Sequence, residues 1–399
     1  MRILTVCSSW QVFGAETITL KMIEGFKGRG HEQMAVVSTF GDGEFSKRLG
    51  KLGIQEAAMP FAMVALPKSL KMIKYTLHTT IYLPVLWWRW RRTLRTFKPD
   101  VILWTGSKQA LLVLPWLDKT PSFLIEFTHV AAAPSMKWLY GRLSKKFTGF
   151  VAVSDFMRGH LHSVGAPLEK ISVVKSGAYF EADRPAAESH SKHAGRNINE
   201  PARIGIIGQV APNKGHDCLV EAVGLLRKQG FNLTVRTFGS GDPEYTAQLK
   251  QKLQDAGLAG IWEWMGYEGD KAKIFGAVDV CVVPSCFGDP FPTVAMEAGV
   301  YGLPVVASRS GGLPEIIEDG VTGWLFDQNV PEQLAERIAR LIQNPDKARQ
   351  MGRAGRERVF KHFTVERMVM DFEALFHELV PRTPAAAGTD DFTRPAKNE

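Results

Sequence analysis

Two carboxylates and a lysine offer the clearest chemistry in this chain. Asp289 and Glu297 stand eight residues apart within PSCFGDPFPTVAMEAGVYGLPVVASRSGGLPEII (284–317), and Lys214 lies in the loop GQVAPNKG (208–215). Carboxylates accept hydrogen bonds from sugar or ribose hydroxyls. A lysine beside free backbone N–H groups neutralises phosphate. The amides of Phe291, Thr293 and Val294 open a helix whose positive end favours an anion. Diphosphate held by lysine and amides, with hydroxyls held by carboxylates, describes a nucleotide-sugar. Singly, each residue has a plainer role: Asp289 as a helix cap, Glu297 as a solvated side chain, the Gly-Lys pair as a turn.

The elements that must position these groups follow from apolar patterning. Val280–Val283 reads as a buried strand. Pro292, suited to a first helical turn, begins a short helix that stops near Gly302. Pro304–Ala307 is a second strand, and Pro314 opens a second helix after Gly311-Gly312. In a parallel sheet both loops lie at the carboxyl ends of their strands, where α/β proteins hold ligands. Earlier in this half, Arg203–Ile207 and Leu233–Phe238 are strands, with a helix over Asp217–Lys228. Ile261–Met265 is a short strand before the turn Gly266–Asp270. The first half has the same grammar: strands at Arg2–Ser8, Met34–Ser38, Val101–Thr105, Phe123–Phe127, Phe150–Ser154 and Ile171–Lys175, with a helix over Ala15–Lys27. Glu16 sits in that helix's first turn, and His129 follows the end of its strand. Alternating strands and helices in both halves predict two doubly wound α/β domains.

These domains are expected at 1–180 and 202–365, joined by a polar linker or mobile loop at 181–201. A final helix over 366–380 is expected to pack back on the first domain, ahead of a disordered tail at 381–399. At 399 residues, with 45% hydrophobic and 23% charged content, the chain suits a globular protein with ample core. Cys7, Cys218, Cys281 and Cys286 are scattered and lack a second Cys/His pair at ligand spacing, so buried thiols are expected rather than a metal site. The chain opens directly into a strand without signal-peptide architecture, and no apolar run is long enough to span a bilayer. A reduced, cytoplasmic protein is expected.

Charge is unevenly distributed. Residues 1–180 hold 24 Lys/Arg and 11 Asp/Glu, and the remainder holds 25 and 30. Between Glu56 and Asp100 there is no acidic residue, while Lys68, Lys71, Lys74, Arg89, Arg91, Arg92, Arg95 and Lys98 alternate with Tyr75, Tyr82, Trp87, Trp88 and Trp90. That mixture suits an anionic membrane surface on the cytoplasmic face; the plainer alternative is a core helix with a basic solvated face. Nucleic acid is not expected as a partner, because no recognition motif accompanies the basic residues.

The order of these motifs resembles that of GT-B glycosyltransferases of the large retaining family 4, the glycosyl transferases group 1. GQVAPNKGHDCLVEA resembles that family's G-R-x-x-P-x-K-G segment. DPFPTVAMEAGVYGLPVVASRSGGLPEIIEDGVTGWLF resembles its E-x-F-G-x-x-x-x-E-A…G-G-x-P-E segment, the most specific of the matches. FGAE (13–16) and VAVSDFMRGHL (151–161) resemble weaker N-terminal motifs. The resemblance implies a GT-B fold, two Rossmann-like domains facing a central cleft. It implies that Glu297 binds the nucleotide ribose, Asp289 holds donor-sugar hydroxyls, and Lys214 neutralises the diphosphate. It further implies that Gly14 lets the backbone approach the phosphates and that His129 lies near the sugar. Base contacts are expected around Gly266.

Departures from the pattern bear on the donor. Gln209 stands where the family has arginine, removing one charged phosphate contact. Asp289 replaces glutamate, Pro292 and Phe13 replace glycines, and Lys175-Ser176-Gly177-Ala178 replaces N-G-V-D. The expectation is a metal-independent, cofactor-free retaining enzyme. It would move a sugar from a nucleotide-sugar to a glycan or lipid-linked acceptor, in envelope polysaccharide or lipopolysaccharide synthesis. The alternative is a non-catalytic or epimerase-type GT-B protein that binds nucleotide-sugar at the membrane surface.

Overall fold

A computed structural model describes residues 1–7, 12–40, 42–61, 77, 79–117, 119–128, 134–183 and 200–380. His129, Lys68, Lys71, Lys74, Tyr75, most of the 181–201 segment and the 381–399 tail lie outside the described residues.

Among the described residues, thirteen strands form two wholly parallel sheets. The first contains β1 (Arg2–Val6), β2 (Glu32–Ser38), β3 (Gln55–Met59), β4 (Val101–Trp104), β5 (Ser122–Glu126), β6 (Gly149–Ala152) and β7 (Ile171–Val173), in the order β3-β2-β1-β4-β5-β6-β7. The second contains β8 (Ala202–Ile207), β9 (Leu233–Phe238), β10 (Trp262–Gly266), β11 (Val280–Val283), β12 (Val305–Ser308) and β13 (Gly323–Phe326), in the order β10-β9-β8-β11-β12-β13. Strands β1, β4, β11 and β12 are nearly all apolar because helices cover both faces of a parallel sheet. All four residues of β11 (VCVV) are buried.

Each sheet reverses its winding once, between β1 and β4 and between β8 and β11. At such a switch point the two flanking loops leave in opposite directions and open a crevice at the carboxyl edge. Register aligns Val280 with Ile204 and Val282 with Ile206, so the β8 and β11 loops emerge side by side.

The last helix, Val365–Leu379, packs on the first-half helix Gly14–Gly28. Phe372 and Phe376 lie 5.8 and 5.9 Å from Phe26, centroid to centroid, and Glu373 accepts hydrogen bonds from Arg29 and His31. The chain leading into that helix runs against the segment after β7. The Ala178 N–H donates to Phe363 O, and the Val365 N–H donates to Tyr179 O. Gly177 makes this approach possible, since a β-carbon there would overlap the Thr364 carbonyl oxygen.

Three sequence expectations need adjustment. The short helix spans Thr293–Val300, with Pro292 as its extended N-cap rather than its first residue. Cys286 is half-exposed and its thiol donates to Pro212 O, whereas the other three cysteines are buried. Among the residues around Trp88, Trp90 and Trp87 turn inward. Trp90 is buried against Trp104, and Trp87 donates its indole N–H to Leu112 O.

The Gly177 contact yields the first prediction. Gly177→Ala should lower unfolding stability by about 1–3 kcal/mol in a urea titration, through backbone displacement. Gly224→Ala, in the helix His216–Lys228 with open space at its β-carbon position, should be neutral or stabilising. Equal effects would contradict the close packing of Gly177 on the Thr364 backbone.

Candidate active site

The site begins with the two loops at the second switch point. After β8 the chain turns through Pro212–Lys214, and Gly215 closes the turn at φ +75°. A side chain at Gly215 would overlap the Pro284 carbonyl oxygen, so only glycine lets the β8 loop lie against the β11 loop. That approach brings Lys214 Nζ to 2.6 Å from Asp289 Oδ2, in a pair sheltered on the carboxylate side. The β12 loop braces Asp289 from behind. Gly312 N–H donates to Asp289 O at 2.9 Å, and a β-carbon at either Gly311 or Gly312 would overlap the Asp289–Pro290 backbone.

Glu297 projects from the helix Thr293–Val300 and receives a second lysine. Lys271 Nζ lies 2.7 Å from Glu297 Oε2. Lys271 opens the helix Lys271–Gly276 just after the Gly266–Asp270 turn, with Asp270 as its N-cap. Each carboxylate of the motif therefore carries its own lysine.

A first-half group completes this second cluster. Lys21 donates to Ala178 O and lies 4.4 Å above the Tyr179 ring. Burial holds the Lys21 ammonium below its ordinary pKa, with Asp183 and Glu297 acting against that shift. Burial raises the Tyr179 phenol, and Glu297 and Tyr301 raise it further. Lys21, Tyr179, Lys271, Tyr301 and Glu297 thus share one electrostatic neighbourhood.

The remaining expected residues sit around this frame. Gly14 is the exposed first residue of its helix, and no heavy atom lies within 4 Å of its β-carbon position. Glu16 accepts the Phe13 N–H and fixes the loop before it. Gln209 is exposed at the end of β8, and Gly266 is exposed with φ +70°. Thr293 and Val294 are half-buried at the helix mouth. Pro292 is buried, and Phe291 packs edge-on to Phe363, so its side chain serves the core. Among the described residues, no cluster of three or more His, Cys, Asp or Glu is arranged to hold a metal ion.

The two sheets meet at their carboxyl edges. Ser154 Oγ, just after β6, donates to Pro290 O at 2.7 Å. The Phe156 N–H donates to Glu315 Oε1, and Lys175 Nζ lies 2.9 Å from Glu315 Oε2. Gly288 leaves room for the Phe156 ring.

Sequence reasoning missed Lys271 and Lys21. Lys271 follows a polar turn of no fixed spacing and carries no motif. Lys21 could have been noticed as a lysine beside the inward apolar face of its helix.

Two doubly wound sheets joined edge to edge, with the paired lysines and carboxylates on the second, make this a GT-B fold. Comparisons agree. Residues 12–179 match the family model for Glycosyltransferase Family 4, and residues 189–358 match that for Glycosyl transferases group 1. The chain belongs to the GT-B glycosyltransferases. A D-inositol 3-phosphate glycosyltransferase of Segniliparus rotundus is 33% identical over 222 residues, 54% of this chain and 49% of that protein. An amylovoran biosynthesis glycosyltransferase, AmsK of Erwinia amylovora, is 29% identical over 211 residues, 51% and 50% of the two chains. The chain thus spans about half the length of these curated relatives. Anabaena Alr3699/HepE, solved with UDP-glucose, superposes with a TM-score of 0.75 at 20% identity, covering 95% of this chain and 100% of that one, which is a likeness of fold.

His216, beside Lys214, gives a pH prediction. Burial pushes its imidazole down to about 4 from 6.5, with the Ala211 carbonyl partly opposing. Below pH 6.5 the unfolded chain takes up a proton that the folded chain refuses until about pH 4, so stability falls as pH drops through that window. Between pH 7 and 4 the wild type should lose about 3 kcal/mol more than His216→Gln in urea titrations. Parallel pH curves would contradict this.

Proposed function

We propose that this protein transfers a sugar from a nucleotide-sugar to a glycan or lipid-linked acceptor, with retention of anomeric configuration. The observation that carries the reading is the Lys214–Asp289 pair at the switch point. Without donor, the ammonium and carboxylate neutralise each other. With donor, Lys214 turns to the diphosphate, and Asp289 is released to accept hydroxyls of the sugar. The positive end of the helix Thr293–Val300 would favour the same anion. Glu297, relieved of Lys271, accepts the ribose hydroxyls.

In the transfer step the bond from the anomeric carbon to the diphosphate oxygen breaks. An acceptor oxygen forms the new bond on the same face, and its proton passes to the departing phosphate. Negative charge grows on that phosphate in the transition state, so Lys214 contributes chiefly to rate. Gln209 adds no charge there, which leaves Lys214 the larger share of the stabilisation. The likeness to a UDP-glucose-bound structure and to an amylovoran biosynthesis enzyme supports a nucleotide-sugar donor and a polysaccharide-building role at the cell envelope. The reading requires neither metal nor cofactor.

A thermal-shift screen of nucleotide-sugars finds the donor, since a ligand at 100 times its Kd adds about 2.7 kcal/mol of stability. With that donor and a membrane-lipid extract as acceptor, Lys214→Ala should lower kcat roughly 100- to 1,000-fold. Its near-UV spectrum should be unchanged. Full turnover in that variant would refute the assignment.

A further inference from the structure

The helix Leu83–Phe97 turns one face to the core through Leu86, Trp90, Thr93 and Phe97, all buried. Its opposite face is exposed among the described residues and divided along its length. On the helix Val85 and Trp88, and in the turn of chain just before it Leu77 and Ile81, are between 38% and 63% exposed and keep helical spacing, with Tyr82 as the N-cap between them. Further along, the same face carries Arg91, Arg92 and Arg95. These three arginines and Trp87, Trp88 and Trp116 line a groove of about 570 Å³. Arg92 lies over the Trp88 ring and Arg91 over Trp116, at 5.5 and 5.4 Å. Arg89 is not part of this face, because it donates to Ala58 O on β3.

We infer that this face docks on a bilayer containing anionic lipid, with the apolar stripe in the acyl boundary and a headgroup phosphate in the arginine groove. Charge complementarity favours that occupant over a protein. No acidic residue occurs between Glu56 and Asp100, so nothing on the segment repels phosphate or pairs with a partner's lysines. An exposed tryptophan flanked by arginines matches the boundary between acyl chains and headgroups. No described helix is long and apolar enough to cross a membrane, so docking is peripheral.

Geometry gives the docking a consequence for the site. The helix connects β3 to β4 in a parallel sheet and therefore runs antiparallel to the strands. Its apolar N-terminal end lies at the carboxyl edge, where the two sheets meet. Docking presses that edge toward the bilayer, where a lipid-linked acceptor would be carried. The inference rests on the helix face alone and not on the donor chemistry.

Vesicle co-sedimentation tests it with the full chain. Binding to phosphatidylglycerol-containing vesicles should exceed binding to pure phosphatidylcholine at least tenfold and should weaken steadily with added salt. Ile81→Ser with Val85→Ser should reduce the partition roughly tenfold. Arg91→Gln, Arg92→Gln and Arg95→Gln together should reduce it roughly 100-fold. The donor thermal shift should be retained in both variants. Equal binding to neutral vesicles, or variants that bind as wild type, would overturn the inference. Self-association lost in the Ile81/Val85 variant would also overturn it, by assigning the face to a second copy. A protein that binds donor but ignores vesicles refutes docking alone.

Discussion

The ion pair between Lys214 and Asp289 is the constraint around which the second sheet is arranged. Bringing an ammonium and a carboxylate from loops 75 residues apart to 2.6 Å requires those loops to touch along their backbones. The winding reversal between β8 and β11 makes them neighbours. Gly215 removes the side chain that would separate them, and Gly311 and Gly312 do the same behind Asp289. The pair is half-sheltered, so its own contribution to stability is modest, on the order of 1 kcal/mol. Its value lies in positioning. In the proposed function, this holds the lysine at the switch point, ready to turn to a diphosphate.

The same loop is held from the other side of the molecule. Ser154 and Phe156 grip the Asp289–Pro290 backbone and Glu315, and Lys175 pairs with Glu315. The final helix then returns across the sheet junction and is tied to the first half through Gly177 and Glu373. The loop bearing Asp289 is therefore a shared element, packed by residues from both sheets. Lys21 and Tyr179 extend that sharing to Glu297. Substitutions in the first half can consequently shift Asp289 and Glu297 without touching either residue.

Much of this was legible in the sequence, for identifiable reasons. The strands of the two sheet centres are continuous apolar runs, and Lys214, Asp289 and Glu297 lie in segments whose glycines and prolines mark the loops around them. Strand β3 is not legible in the sequence because it is an edge strand with mostly exposed residues, QEAAM, which erases the alternation that identifies a strand. Strand β13 is only four residues long. Lys271 and Lys21 are brought to Glu297 by tertiary approach, which leaves no spacing in the chain. The tryptophan-rich stretch was ambiguous because one helix serves both purposes: Trp90 faces the core and Trp88, two residues earlier, faces outward. Composition alone cannot divide the two faces.

Central to the proposed transfer is a change of partner for Lys214, from Asp289 to a diphosphate. A double-mutant cycle with Lys214→Met and Asp289→Asn measures the pair directly, as the coupling in urea unfolding free energy with and without the saturating nucleoside diphosphate of the donor. The predicted coupling is about 1 kcal/mol without nucleotide and near zero with it. A coupling that is unchanged or larger when nucleotide is bound would show that the pair is structural and that the lysine does not leave its carboxylate.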